Sequence, residues 1–341
     1  MSGAIFVMFG RLRQLFRLAA YTQLMPALES ADDPLIGGQA VLEGVMMRAP
    51  HSYCIAVRKP DGEIVTEEGP AVRLSEKNKI WGFPVIRGVA TLWQSMSLGM
   101  KALNFSAQFA VDEEEEGTRG ECEKGKTKEL PKWMMAVNIL ISFGFMIFLY
   151  KFLPLTATKL IQGQFAFLDN QIGFSAVEGL IRLSIFLSFM FALSLMKDIR
   201  RVFEYHGAEH KVVFNYESGK PVNTENAQSF VTFHPRCGTS FLMVVMIVSV
   251  IVYAFVPVQG FGPMLLSRII LLPLIAGLSY EVIRFAAQHQ QSLMRLFVAP
   301  GMWLQRITTK PPDDTQIEIS IRALTGAMEL EKEKGGELVV A

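Results

Sequence analysis

Read as apolar and polar positions, the chain divides into sharply different textures. Four long apolar runs dominate its second half: 133–153 (WMMAVNILISFGFMIFLYKFL), 177–196 (VEGLIRLSIFLSFMFALSLM), 240–258 (SFLMVVMIVSVIVYAFVPV) and 264–285 (MLLSRIILLPLIAGLSYEVIRF). A bilayer core takes about 20 helical residues to cross, so the pattern predicts four transmembrane helices. Ahead of them, from Asp32 to about Thr66, Gly-rich turns separate short alternating runs, PLIGGQAVLEGVMMRAP and then YCIAVRKPDGEIVTEE. The Pro60-Asp61-Gly62 turn predicts a hairpin, because such turns favour Gly, and a small β-rich unit follows from it. The segment 83–110 is mostly apolar, carries Arg87 and Lys101, and reads as a membrane-dipping or a core helix.

The remaining stretches are polar or mixed. At the N-terminus, Arg11, Arg13 and Arg17 stand among Phe and Leu without the order of a signal peptide, which predicts a helix at an anionic membrane surface or a mobile tail. Residues 112–132 are charged and Gly-punctuated and read as a flexible linker. Near the C-terminus, Pro311-Pro312 stops regular structure and QIEISIRALTGAMELEKE resumes it as a helix. The division is therefore an amphipathic helix (1–30), a β-rich unit with a membrane-associated helix (31–111), the linker (112–132), a four-helix transmembrane domain (133–299) with a polar loop at 197–239, and a cytoplasmic tail (300–341). The fold class is an α-helical multi-pass membrane protein with a small N-terminal β-rich cytoplasmic unit, α+β.

Composition agrees with this. Hydrophobic residues make up 50% of the chain, with 25 Phe and 18 Met, and the mean hydropathy is +0.30, too apolar for ordinary soluble domains alone. A net charge of +1 with no basic, aromatic-interleaved stripe excludes nucleic acid as a partner and leaves the lipid bilayer, with a homo-oligomer compatible. Cys54, Cys122 and Cys237 are odd in number and far apart, which argues against a disulfide framework and for a reducing compartment. Lys and Arg crowd the segment before the first run and the loop between the second and third, whereas none stands between the third run and Arg268. The positive-inside rule then places head, middle loop, tail and both termini on the cytoplasmic side of the cell's inner membrane.

The middle loop carries the candidate chemistry. If the second span continues past the membrane surface as a helix, His206 and His210 of HGAEH lie one turn apart on one face. H-x-x-E-H is the inverted zincin pattern, in which the histidines ligate zinc and the glutamate activates water. Twenty-four residues beyond His210 comes FHPRCG, with His234 and Cys237. Imidazole and thiolate are the donors zinc prefers, so a divalent cation, Zn2+, is expected on His206, His210, His234 and Cys237, against the plainer reading of interfacial polar residues. Four bound donors would make a structural site. If one stands back, Glu209 becomes the general base. Glu204 is a further ligand or an orienting partner. Glu43, Arg48, Arg200 and Arg236 are candidates for holding a substrate head group, although Glu43 and Arg48 also suit a salt bridge in a Gly-rich turn. Glu281 and Arg284 suit a mutual ion pair near the end of the fourth run as well as they suit catalysis. The Gly-rich head is expected to fold over the site as a lid or wall.

GGQAVLEGVMMRAP, YHGAEHKVVFNYE, FHPRCGTSFL, GLSYEVIR and APGMWLQRITTKPPDDTQIEISIRAL, in that order, resemble the bacterial YqhQ-like membrane proteins, a family of unknown function described as predicted metal-dependent enzymes. The resemblance spans roughly 36–326 with no departure at the His, Glu or Cys positions. It implies metal dependence and names no substrate. The expectation is a cytoplasm-facing membrane enzyme, a zinc-dependent hydrolase of a peptide or lipid-linked substrate. The rival is a non-catalytic membrane assembly or scaffold protein with a structural metal. A transporter fits less well, because the runs show few buried charges.

Overall fold

The computed structural model describes residues 36–71, 79–109, 132–234, 237–288 and 295–333. The helix expected at 1–30, the linker as far as Pro131, Cys122 and Arg236 lie outside the described residues. Four strands form an antiparallel meander in sequence order: β1 (Gly37–Val41), β2 (Gly44–Arg48), β3 (Ser52–Arg58) and β4 (Ile64–Pro70). The hairpin expected at Pro60-Asp61-Gly62 joins β3 to β4, and Leu42-Glu43 turns β1 into β2. The helices that follow are α1 (Ile86–Phe109), α2 (Lys132–Ile147), α3 (Leu153–Gln162), α4 (Gln171–Ser194), α5 (Lys197–Glu217), α6 (Thr224–Gln228), α7 (Gly238–Phe255), α8 (Phe261–Ile270), α9 (Leu272–Gln288), α10 (Arg295–Thr308) and α11 (Asp314–Glu333).

The sheet is covered on both faces, which is why GVMM and YCIAV read as unbroken apolar runs instead of alternating ones. Val45, Met47, Cys54 and Ala56 pack against Tyr205, Ala208 and Val212 of α5 and against Ile317, Ala323 and Leu324 of α11. Met46, Tyr53, Ile55 and Val57 point the other way, onto Leu98, Ala102 and Phe105 of α1. Polar contacts fasten α11 in place: Ser52 Oγ donates to the Ala327 carbonyl, with Glu331 Oε2 also 2.7 Å away, and the His51 N–H donates to Glu331 at 2.9 Å. On α1 the small residues Gly88, Ala90, Gly99, Ala102 and Ser106 face inward, while Trp93, Met96 and Met100 face out.

Three helical stretches are long and apolar enough to cross a membrane: Leu140–Gln162, Gln171–Ser194 and Gly238–Phe255. A fourth exists if α8 and α9, bent by 47° at their junction, are taken as one span. The run that reads as one helix in the sequence is thus broken, because Pro273 has no N–H for the Ile269 carbonyl and its ring crowds that group. The first stretch contains a π-turn, Phe148–Phe152, just before Pro154. Asn170 starts α4 by accepting the Gly173 N–H at 2.7 Å. The second apolar helix does not continue into the histidine pair as the sequence suggested. The chain turns at Met196 (φ −75°, ψ 132°) and α5 begins afresh. Glu281 is likewise not held by Arg284 alone: it accepts from Arg87 Nε of α1 at 2.7 Å, from Arg87 Nη2, and from the Val85 N–H at 3.3 Å.

Candidate metal centre

His206 and His210, four residues apart on α5, set their rings edge to face with centroids 4.5 Å apart. Each Nδ1 lies against a backbone carbonyl, His206 against Thr308 at 2.8 Å and His210 against Thr232 at 2.5 Å. A carbonyl only accepts, so both rings carry a proton on Nδ1, and in the neutral form both Nε2 atoms present a lone pair. Burial favours that neutral form by holding His210 below its ordinary pKa. His206 Nε2 lies 3.1 Å from Cys237 Sγ. His210 Nε2 is buried and has no hydrogen-bond partner among the described residues. The donor atoms of His206, His210 and Cys237 all lie within 4.8 Å of one another.

Cys237 is the N-cap of α7, and its Sγ accepts the Thr239 N–H at 3.5 Å and sits 3.2 Å from the Thr239 hydroxyl. Burial alone would raise the thiol, but the nearby His210 imidazole and the two Thr239 groups bring it below its usual range. A helix N-terminus favours a thiolate in the same sense. The arrangement therefore offers two imidazole lone pairs and an acidified thiol to one point, a donor set that suits zinc or a similar borderline cation.

His234 falls outside this group of three, with its ring centroid 5.6 Å from that of His210. Its ring packs on Phe214 at 4.5 Å, its Nε2 is 3.4 Å from Glu217 Oε2, and burial pushes its imidazole down to about 4. Gln305 of α10 fixes the turn by accepting the His234 N–H and donating to its carbonyl, both at 2.8 Å. Glu209 is only 6% exposed, and burial pushes its carboxyl up to about 7, with Cys237 adding to the rise and His206 and the Gly38 N–H opposing it. A Cβ on Gly38 would stand 2.9 Å from Glu209 Cγ and Cδ, so β1 lies directly on this carboxyl because it carries Gly there. The Gly-rich head is a wall of the site.

Gly207 serves a second close approach. A Cβ there would overlap the Lys310 carbonyl, and the same segment brings the Thr308 carbonyl to His206 and donates the Lys310 N–H to Phe203 at 2.9 Å. Gly207→Ala is accordingly expected to destabilise the protein by ~1–3 kcal/mol through overpacking. A denaturant titration of the purified chain reads this, and an unchanged midpoint would contradict the close packing.

The other candidates are dispersed. Glu43, at φ 51°, is bound by Arg201 through both oxygens and accepts from Tyr205 Oη at 3.2 Å. Glu204 accepts from Gln316 at 3.2 Å and lies 3.5 Å from the exposed Arg200, so it is not engaged by either imidazole. Arg48 stands on β2 opposite Tyr53, and Arg236 is outside the described residues. Arg201, Gln305 and the Thr232 and Thr308 carbonyls, which orient the site, are all absent from the sequence-based set. No local signal marks them, since their partners lie 22 to 158 residues away.

Residues 83–330 match a family model described as "Protein of unknown function (DUF1385)". The chain is 36% identical over 301 residues to the uncharacterized protein YqhQ of Bacillus subtilis (strain 168), which covers 87% of this chain and 93% of that protein. No solved structure matches.

Proposed function

The chain belongs to the DUF1385 family of proteins of unknown function, and from that premise we propose that it is an integral-membrane, metal-dependent enzyme. Its reaction is hydrolysis of a peptide or lipid-linked substrate at the cytoplasmic face of the inner membrane, with zinc as the metal. The observation that carries this reading is the donor set: three side chains converge, His234 is turned to Glu217, and a buried carboxyl stands alongside. Catalytic zinc sites keep three protein ligands and an open position, whereas structural sites close all four.

Several features support the membrane setting. Leu140, Ile172, Leu180, Phe191 and Phe255 of the apolar helices are all more than half exposed, an arrangement that is unfavourable in water and favourable in lipid. The outward Trp93, Met96 and Met100 of α1 suit the interfacial layer, and the Arg87–Glu281 pair ties α1 to the end of α9. The Lys and Arg bias supports a cytoplasmic side for the sheet and α5.

In this reading His206 Nε2, His210 Nε2 and Cys237 Sγ hold the cation, which when bound supplies a Lewis acid and acidifies water. The Thr308 and Thr232 carbonyls keep both rings in the ligating tautomer. Glu209 takes the proton from water, and the Gly38 N–H orients its carboxylate. Arg48, Arg200 and Arg236 are the candidates for an anionic part of the substrate, while Glu43 pins the β1–β2 turn to α5 through Arg201. The rival scaffold reading needs a fourth donor. Glu209→Gln is expected to keep zinc in the purified protein and to fail to complement a deletion strain. Full complementation would remove Glu209 as the base, and simultaneous loss of zinc would make it a ligand instead.

A further inference from the structure

A second polar cluster lies inside the apolar helices, in the half of α4 remote from α5. Glu178 and Arg182, one turn apart on α4, and Arg268 of α8 are each exposed by 2% or less. Arg182 Nη2 binds one carboxylate oxygen of Glu178 and Arg268 Nη2 binds the other at 2.7 Å. Arg182 also donates to Ser249 Oγ at 2.9 Å and to the Tyr150 carbonyl at 3.1 Å. That carbonyl is the one whose helical donor would be the N–H that Pro154 lacks. Lys151, in the π-turn and 9% exposed, donates to Tyr253 Oη at 3.2 Å. The Tyr253 ring gathers all three cations, with Lys151 Nζ, Arg182 Cζ and Arg268 Cζ at 5.5, 5.3 and 4.5 Å from its centre.

The charges in this cluster do not balance. Two guanidiniums and the Lys151 amine face one carboxylate, an excess of positive charge even without the amine, and among the described residues no carboxylate lies within ion-pair distance of Lys151. Uncompensated charge among apolar helices is costly and is retained there chiefly for function. Two independent features point to a ligand. Ser175, three residues before Glu178 on the same side of α4, is 2% exposed, and its hydroxyl has no hydrogen-bond partner among the described residues. The backbone is also irregular on both sides: the π-turn carries Lys151, and the 47° bend follows Arg268 within a few residues. Interruptions of this kind gather where helices border a binding site.

We propose that this cluster is a binding site for a phosphate-class oxyanion, with Lys151 and the two guanidiniums supplying the field and Ser175 an open hydroxyl. A phosphate monoester or inorganic phosphate carries about 1.5 to 2 negative charges near neutral pH and a phosphodiester lipid one, so ligands of both charges are compared. The inference rests on the membrane setting and not on the metal centre.

The test uses the full chain in detergent micelles. Its unfolding midpoint is followed with sodium phosphate against chloride at equal ionic strength, and with micelles containing phosphatidic acid against phosphatidylglycerol. A ligand that binds only the folded state raises the midpoint. A rise with free phosphate identifies a soluble source, and a rise confined to phosphatidic acid identifies a lipid headgroup. One phosphorus per chain retained through purification counts as the site already filled. Lys151→Met is expected to weaken binding by about tenfold or more and Lys151→Arg to preserve most of it, the loss of one charge-assisted hydrogen bond. Zinc content should be the same in both variants, which separates this outcome from any failure of the metal reading. Absence of both retained phosphorus and a specific midpoint rise, or an undiminished rise in Lys151→Met, would overturn the proposal and leave the cluster a structural staple.

Discussion

Replacing His206 or His210 by Ala, or Cys237 by Ser, is expected to strip zinc from the purified protein, whereas His234→Ala is expected to leave it bound. The asymmetry follows from where the lone pairs point. His206 and His210 each use Nδ1 on a backbone carbonyl and turn Nε2 toward Cys237, while His234 turns its Nε2 to Glu217. Loss of an orienting partner alone typically costs 10–100-fold in metal affinity, so removing a donor should drop occupancy below about a tenth of a zinc per chain under mild chelation. Elemental analysis of monodisperse protein reads this directly. Retention of zinc in all three donor variants would end the metal reading. Loss of zinc in His234→Ala as well would restore a four-donor, closed site and with it the scaffold rival.

The parts of this molecule that are local in sequence are also the parts that can be read from it. The Pro60-Asp61-Gly62 turn, the apolar runs and the four-residue spacing of His206 and His210 each express a neighbour relation, and each appears in the structure. What could not be read depends on contacts made at long range. His234 and Cys237 look equivalent three residues apart, yet Gln305, 71 residues later, holds the His234 backbone, and the imidazole lies 3.4 Å from Glu217. Glu281 finds Arg87 194 residues away and not only Arg284 on its own helix turn. Met196 breaks α4 from α5 without any Gly or Pro to mark it. Glu178 and Arg182 sit in plain view at helical spacing within an apolar run, but the partner that makes them a cluster, Arg268, is 90 residues from Glu178.

That cluster yields the largest expected effect on stability. Glu178→Ala is expected to cost ~3–5 kcal/mol, because it leaves two buried guanidiniums with no carboxylate. Desolvation makes the penalty one-sided. Removing one member of a buried ionic group strands the others, whereas replacing the group by apolar side chains of similar size is often neutral or stabilising. The triple variant Glu178→Met, Arg182→Leu, Arg268→Met is therefore expected to recover most of the stability that Glu178→Ala loses. Unfolding of each variant in mixed micelles by denaturant titration measures both differences, and zinc content in the same samples checks that the metal centre at the other end of α4 is undisturbed. If Glu178→Ala unfolds at the native midpoint, Glu178 does not neutralise the two arginines as the geometry indicates. If it falls and the triple variant recovers, stability alone does not account for keeping four ionisable side chains at this depth, and the charge excess around Tyr253 has to be explained by what it binds.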